Sequence, residues 1–207
     1  MPAVGEYDPL LPESPPSSSD DLERARDLFA AASRPFLVSP WPWLTWAVLL
    51  PLAALSTTPM LAGLGAAGVL GLWVVTILLG GVVELAGIRR GRRRHGRTPL
   101  AGWALSIQGN LSLVALVLSL ALLWADLGKL LPGVWLLLLG HSFFLMGSLA
   151  FPPFRACGVI YQLGGVVALW PAGVDPFVAF AAATAAGNLW MGWSVWRGAA
   201  APKYPAP

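Results

Sequence analysis

Long apolar runs separated by short polar breaks make up the sequence after residue 40. An α-helix rises 1.5 Å per residue and needs about 20 residues to cross the hydrocarbon core of a bilayer. On this pattern we predict an all-α integral membrane protein, a bundle of six transmembrane helices preceded by a short amphipathic helix. The first and fifth runs are short and need flanking residues or a locally thinner bilayer. The six predicted spans are 43–57, 61–88, 100–124, 131–151, 156–170 and 176–196.

The polar segments on either side of the bundle have a different character. Residues 1–17 form an acidic, proline-rich stretch that predicts a disordered tail, and residues 199–207 predict a second disordered tail. Residues 18–40 predict an amphipathic helix and a linker, with the membrane bundle following over 41–198. This helix lies on the membrane surface or packs on the bundle or on a partner. Its apolar stripe consists of Leu22, Ala25, Leu28, Phe29 and Ala32.

The composition supports the membrane assignment. The chain is 57% hydrophobic and 11% charged, whereas soluble domains are about 25% charged. The net charge is +3, but the basic residues fall in breaks between apolar runs, where membrane topology explains them better than a nucleic-acid surface does. We therefore exclude nucleic acid as a partner. The single cysteine, Cys157, excludes an intrachain disulfide.

The distribution of basic residues predicts the orientation. With six spans, 12 of the 13 basic residues fall on one side of the membrane, and Lys129 alone falls on the other, beside Asp126 and Asp175. The positive-inside rule then places both termini in the cytoplasm, and we expect a plasma membrane such as a bacterial inner membrane. The break between the second and third spans determines topology or binds anionic lipid head groups. Its arginines are Arg89, Arg90, Arg92, Arg93, Arg94 and Arg97.

Polar side chains within the predicted spans are few: five spans place one in the middle or in the cytoplasmic half, and the outer half contains almost none. Because such groups are costly in hydrocarbon unless partnered, they are expected to face the bundle interior. They either line a small cavity open to the cytoplasm or hold helices together through hydrogen bonds. Glu84 has the further option of pairing with Arg89 or Arg90. The candidate residues are Glu84, Gln108, Asn110, His141, Gln162 and Asn188.

His141 lies within an almost uniformly apolar run, which leaves several roles open. A transmembrane haem commonly uses two histidines, and the spans contain one. A chlorophyll-type ligand needs a histidine and small neighbours such as Gly140 and Gly147. Acting with Glu84, His141 suits a proton relay or a substrate site. The remaining role is a hydrogen-bonded packing residue, and we predict no bound cofactor.

No catalytic motif, phosphate-binding loop or metal-ligand spacing occurs. Small-residue faces occur instead, including Ala179, Ala183 and Gly187 at four-residue spacing, and they predict close helix packing. The sequence therefore favours a non-catalytic accessory, regulatory or assembly component. Its expected partners are membrane lipids and other membrane subunits or a second copy. The alternative is a small-molecule or ion transporter that uses the six polar residues.

Overall fold

The computed structural model describes residues 39–95, 99–149, 152–170 and 173–200, together with Asp21 and Arg24. These residues form helices joined by short turns, with no strand among them. The all-helical prediction is therefore confirmed for this part of the chain. The elements are α1 (Trp41–His95), α2 (Pro99–Trp124), a 3₁₀ turn (Gly128–Leu130), α3 (Leu131–Leu149), α4 (Pro152–Leu169) and α5 (Pro176–Ala200).

The predicted segments at the two ends of the chain lie mostly outside these described residues. Of the predicted tail over 1–17, none is described. Of the predicted amphipathic helix and linker over 18–40, the structure describes Asp21 and Arg24, which are helical, and residues 39–40. The predicted C-terminal tail begins at residue 199, where α5 still continues to Ala200.

Helix α1 reverses its direction at Gly65. This residue has φ 66° and ψ −167°, a conformation that is essentially restricted to glycine. The reversal divides α1 into an N-arm (41–64) and a C-arm (66–95). The sequence pattern places the break earlier, between residues 57 and 61, and that prediction is wrong. The helix continues through Pro59; an interior proline removes one backbone hydrogen bond, which membrane helices tolerate when neighbouring groups satisfy the freed carbonyl.

The two arms of α1 pack side by side in antiparallel directions. The ring of Trp46 in the N-arm lies against Gly80 in the C-arm. Nearer the open end of the hairpin, the ring of Pro42 lies 2.9 Å from the position that a Cβ on Gly87 would take. Both glycines therefore provide room for a bulky side chain of the other arm.

Three helices in the described part of the chain are long and apolar enough to cross a membrane: Trp41–Arg93, Ser106–Trp124 and Gly128–Ser148. A membrane protein is therefore supported, whereas the predicted count of six spans is not. The hairpin of α1 enters this count as one helix. Helices α4 and α5 are not among the three.

Helices α3 and α4 form the closest interface of the fold. Gly133, Gly140 and Gly147 recur every seven residues along α3, and Gly158 and Gly165 have the same spacing on α4. A Cβ on Gly140 would lie 2.9 Å from the carbonyl oxygen of Gly158, and a Cβ on Gly158 would lie 2.6 Å from that of Gly140. The two antiparallel backbones therefore approach each other at distances that side chains would prevent.

Helix α5 packs against α4 and against the N-arm of α1. The side chain of Ala183 lies against Gly164, and the ring of Tyr161 lies against Gly187. The predicted small-residue face of α5 therefore packs inside the bundle. On the N-arm, the side chain of Leu44 lies 2.9 Å from the Cβ position of Gly192.

An aromatic cluster fills the space between the N-arm, α3 and α4. The ring of Phe143 stacks on that of Phe154 with centroids 5.8 Å apart. Trp43 meets both rings edge-on, and Tyr161 contacts Phe143 edge-on at 5.5 Å. The buried core of the protein is therefore formed by the N-arm, α3, α4 and α5.

The C-arm and α2 lie at the periphery and carry 17 of the 36 exposed large apolar side chains among the described residues. Helix α2 packs chiefly on α3. On the C-arm, Trp73 reaches the core through an edge-on contact with Phe180 of α5. In a membrane, the outer faces of these two helices meet lipid or another protein.

Charged residues separate to the two ends of the bundle. The antiparallel packing brings together the end of the C-arm, the start of α4 and the end of α5. This end, here called the arginine end, carries Arg89, Arg90, Arg92, Arg93, Arg155 and Arg197. The opposite end carries Lys129 and Asp126 between α2 and α3, and Asp175 at the start of α5.

Candidate functional site

The six polar residues predicted from the sequence occupy separate parts of the bundle. None of them forms a hydrogen bond to another of the six within the part of the chain that the structure describes. Glu84, Gln108 and Asn188 are hydrogen-bonded to residues outside the set. Gln162 is half-buried, and Asn110 and His141 are exposed. The geometry thus gives no single shared cavity among these residues.

Gln108 joins α2 to α3 through a hydrogen bond. The Ser142 hydroxyl donates to its side-chain oxygen at 3.2 Å, and Ser142 is buried. The neighbouring residue, His141, is exposed, because adjacent residues on a helix point about 100° apart. No hydrogen bond reaches His141 from the described residues. Its imidazole therefore faces away from the core. The structure does not show the buried hydrogen bond that a packing role for His141 requires.

Asn110 lies two residues after Gln108 and on the opposite side of α2. Its side chain is exposed and has no hydrogen-bond partner among the residues that the structure describes. The sequence predicts that Asn110 faces the bundle interior, and this prediction is wrong. The side of α2 that meets α3 is occupied by Gln108, the buried Ala115 and Ser119.

Glu84 joins the two arms of α1. The indole nitrogen of Trp46 donates to a carboxylate oxygen of Glu84 at 3.2 Å. No ion pair to Arg89 or Arg90 occurs among the described residues. Glu84 is exposed despite this bond.

Asn188 belongs to a buried polar group between α4 and α5. Its side-chain nitrogen donates to the Tyr161 hydroxyl at 2.8 Å and to the Thr184 carbonyl oxygen at 2.9 Å. Asn188 and Tyr161 are each 2% exposed, and Cys157 is fully buried beside them. The bond to Tyr161 joins α5 to α4, which is the interhelical role expected for an amide in a membrane bundle, whereas the bond to Thr184 lies within α5.

Gln162 is half-buried on α4. Its Cγ atom lies 2.9 Å from the position that a Cβ on Gly140 would take. The stem of the side chain thus occupies space that the glycine on α3 leaves free. Gln162 is therefore a part of the α3–α4 interface, one helix away from the outward-facing His141.

Two indole–hydroxyl hydrogen bonds were not predicted from the sequence. Trp73 donates to the Thr57 hydroxyl at 3.1 Å, and Trp135 donates to the Ser119 hydroxyl at 2.9 Å. Each hydroxyl in turn donates to the carbonyl oxygen four residues earlier, at Ala53 or Ala115. Both pairs are 16 residues apart, and each bond joins the two helices of a hairpin.

A cleft lies between the N-arm and the start of α5, at the end opposite the arginine end. Its volume of about 170 Å³ is below the range typical of small-molecule sites. One Asp175 oxygen accepts hydrogen bonds from the backbone nitrogens of Phe177 at 2.7 Å and Val178 at 3.3 Å. Asp175 is thus the N-cap of α5. The lining residues are Ala54, Leu55, Thr58, Asp175, Phe177 and Val178.

The arginines at the end of α1 form an exposed basic surface. Arg89, Arg90 and Arg93 are exposed, and Arg92 is half-buried. The side chains of Arg94 and Arg97 lie outside the described residues. At the same end, the Arg197 guanidinium lies 4.1 Å from the centre of the Trp193 ring, and that of Arg155 lies 5.0 Å from the Phe144 ring. Such cation–aromatic pairs are typical of a membrane interface.

Among the described residues, no group of three or more His, Cys, Asp or Glu side chains is placed to hold a metal ion. No family model, no curated protein and no solved structure matches the chain. A function is therefore inferred from the placement of the side chains and not from a relative.

Proposed function

We propose that the chain is a non-catalytic, multi-pass membrane component that acts as an accessory, regulatory or assembly subunit through contacts with other helices and with lipids. One observation carries this proposal. The polar side chains of Asn110 and His141 point out of the bundle and have no hydrogen-bond partner among the described residues. In hydrocarbon, an unpartnered polar group is costly, so these side chains call for a partner outside the bundle.

The depth of the two residues strengthens this argument. Asn110 is 11 residues from the start of α2 and 14 from its end, which places it about 16 Å and 21 Å from the two ends. His141 is ten residues from the start of α3 and eight from its end, about 15 Å and 12 Å. Neither side chain is long enough to reach a water interface from that depth, so a neighbouring protein helix is the suitable partner.

We further propose six spans with both termini in the cytoplasm. The hairpin of α1 supplies two antiparallel arms, and α2 to α5 supply one helix each. Helix α4 has 18 residues and a length of about 27 Å, which fits a slightly thinned bilayer. The arginine end then faces the cytoplasm by the positive-inside rule, and the expected location is a plasma membrane such as a bacterial inner membrane.

The basic surface at the end of α1 supports a role in lipid contact. Arg89, Arg90 and Arg93 are exposed at the arginine end, where the proposed topology puts the lipid phosphates of the cytoplasmic leaflet. Basic residues near an anionic leaflet contribute about 1 kcal/mol each to membrane attachment. The same arginines also determine the orientation of the hairpin by the positive-inside rule. One set of residues thus serves both lipid binding and topology.

A comparison of two variants tests the proposed function. The tagged chain is captured from its source membranes in mild detergent, and co-purifying proteins are quantified by isotope-labelled mass spectrometry. The double variant Asn110→Leu/His141→Leu removes the outward polar groups and is expected to lose the partners that the wild-type chain retains. Thr76→Ala is the matched control, because it removes a buried polar group of the C-arm whose hydrogen bond stays within that arm. Equal recovery of partners with both variants contradicts the proposal.

Transport is the alternative function, and it predicts a different result. Purified chain in proteoliposomes would then carry a pH- or substrate-dependent flux that Glu84→Gln and His141→Ala abolish. The accessory proposal predicts the flux of empty liposomes for the wild-type chain and for both variants. A flux that is lost in both variants, while the protein stays folded, favours the transporter instead.

A further inference from the structure

Helix α2 is attached to the bundle along one narrow face. It packs chiefly on α3, and two side-chain hydrogen bonds connect the helices, between Gln108 and Ser142 and between Ser119 and Trp135. Gln108 and Ser119 are 11 residues apart, or about three turns, so both lie on the same side of α2. The opposite side of α2 is free along its described length.

The free side of α2 carries a heptad pattern. Its residues alternate at spacings of four and three, the arrangement that keeps a stripe in register with a second helix in a left-handed pair. Leu113 and Val117 are each 58% exposed, Leu120 is 61% exposed and Trp124 is 94% exposed. The full stripe is Ser106, Asn110, Leu113, Val117, Leu120 and Trp124.

Asn110 makes this stripe selective for a particular partner. An amide carries an acceptor and two donors, so a second asparagine at the same depth satisfies both kinds of group. A lone lipid tail satisfies neither. Gly109, the residue before Asn110, has nothing within 4 Å of its Cβ position. A second backbone can therefore approach the Asn110 amide from the side of Gly109.

Symmetry places the two amides together. Two copies inserted in the same orientation are related by a twofold axis along the membrane normal, and a closed pair uses the same patch on both copies. The two α2 helices then run parallel at equal depth. Asn110 meets Asn110 of the second copy, and Val117 meets Val117.

We propose that α2 is the dimerisation helix of this protein, and that a second copy of the chain docks on the stripe from Ser106 to Trp124 through a pair of Asn110 amides. The inference rests on the proposed function, because it names one partner for the outward polar groups. It goes further in assigning Asn110 to self-association and in giving the orientation of the pair.

Cysteine cross-linking tests the geometry with neighbouring positions at one depth. Val117→Cys and Leu118→Cys are compared in liposomes that contain only the purified chain. Val117 lies on the stripe and Leu118 lies about 100° away. The native chain is the background control, because its single cysteine, Cys157, is fully buried. Oxidation is expected to give a covalent dimer with Val117→Cys and almost none with Leu118→Cys. Equal yields for the two variants overturn the proposed face.

Energy transfer between donor- and acceptor-labelled copies tests the amide pair. Wild-type chains mixed in liposomes are expected to transfer energy. Asn110→Leu is expected to raise the dissociation constant of the dimer about threefold to tenfold, the range for an interhelical polar contact, whereas Asn110→Gln retains most of the affinity. Absence of transfer for wild-type chains, or equal transfer for Asn110→Leu, overturns the proposal.

The same liposomes separate this inference from the proposed function. They hold no other protein, so a failure to self-associate leaves a different membrane subunit as the occupant of the stripe. In that case the captured partners of the wild-type chain still depend on Asn110, and the accessory function stands while dimerisation is rejected. When capture is also insensitive to Asn110, both proposals fail.

Discussion

Gly140 on α3 and Gly158 on α4 contact each other through their backbones, and each occupies the space that a Cβ on the other would need. This reciprocal contact sets the distance between the two helices that form the centre of the bundle. It also places Ser142 against α2 and His141 toward the outside, since the rotation of α3 is fixed by its glycine stripe.

The Gly158→Ala variant is expected to be destabilised by about 1–3 kcal/mol, as for other overpacked interiors. The added methyl group would lie 2.5 Å from the Phe144 backbone nitrogen and 2.6 Å from the Gly140 carbonyl oxygen, and backbone atoms cannot move aside as a side chain can. Thermal unfolding in detergent, followed by circular dichroism, measures the change. Gly71→Ala is the matched control, because its Cβ position is open and alanine favours a helix. Equal unfolding temperatures for the two variants contradict the α3–α4 interface.

The Asn188→Ala variant is expected to lose about 1–3 kcal/mol of unfolding free energy, because the buried Tyr161 hydroxyl is left without its partner. His141→Ala is expected to change the unfolding free energy by no more than about 0.5 kcal/mol, because His141 is exposed in the isolated bundle. Unfolding in mixed micelles of increasing denaturing detergent compares the two. A larger loss for His141→Ala than for Asn188→Ala contradicts the outward placement of the imidazole.

The double variant Ser119→Ala/Ser142→Ala is expected to loosen α2. Both of its side-chain hydrogen bonds to α3 are removed, and each such interhelical bond contributes about 0.6 kcal/mol. Amide hydrogen exchange resolved by peptide is expected to increase in α2 and to stay unchanged in α4. Ser112→Ala is the control, since Ser112 is exposed on α2. Faster exchange in both variants to the same extent is incompatible with the assigned contacts.

Much of the helical architecture follows from the sequence pattern. The predicted limits 100–124 and 176–196 differ by four residues or fewer from α2 and α5, because turns and charged residues bound the apolar runs. The sequence pattern places the reversal of α1 too early, in the segment that contains Pro59, because Gly65 does not differ in the sequence from the other glycines of this segment. In a glycine-rich segment, the sequence does not show which glycine adopts a positive φ.

The faces of the helices could not be predicted in the same way. The helices of this bundle are apolar on almost every side, so no hydrophobic stripe shows which side faces the core. The sequence therefore predicts how deep Asn110 and Asn188 lie along their helices, but not which way their side chains point. In the structure Asn110 faces outward and Asn188 is buried. The glycines at seven-residue spacing on α3 and α4 are the sequence feature that reports rotation.

The orientation is tested by labelling single cysteines in intact cells. A membrane-impermeant maleimide is expected to label Leu127→Cys from outside, because Leu127 is exposed in the turn between α2 and α3. Gly198→Cys lies at the arginine end and is expected to be labelled only after the cells are permeabilised. Cys157 is buried, so the wild-type chain is expected to remain unlabelled. Labelling of Gly198→Cys from outside reverses the proposed topology.

The mass of the particle that this chain forms in its own membrane shows whether a second copy or another subunit accompanies it. Nanodiscs are formed from the source membrane by a polymer, without detergent, and are weighed by native mass spectrometry after the lipid is removed. The account predicts a mass above that of one chain, from a second copy or another subunit, and a shift toward one chain in Asn110→Leu/His141→Leu. A wild-type particle that contains one copy of the chain and no other protein contradicts it.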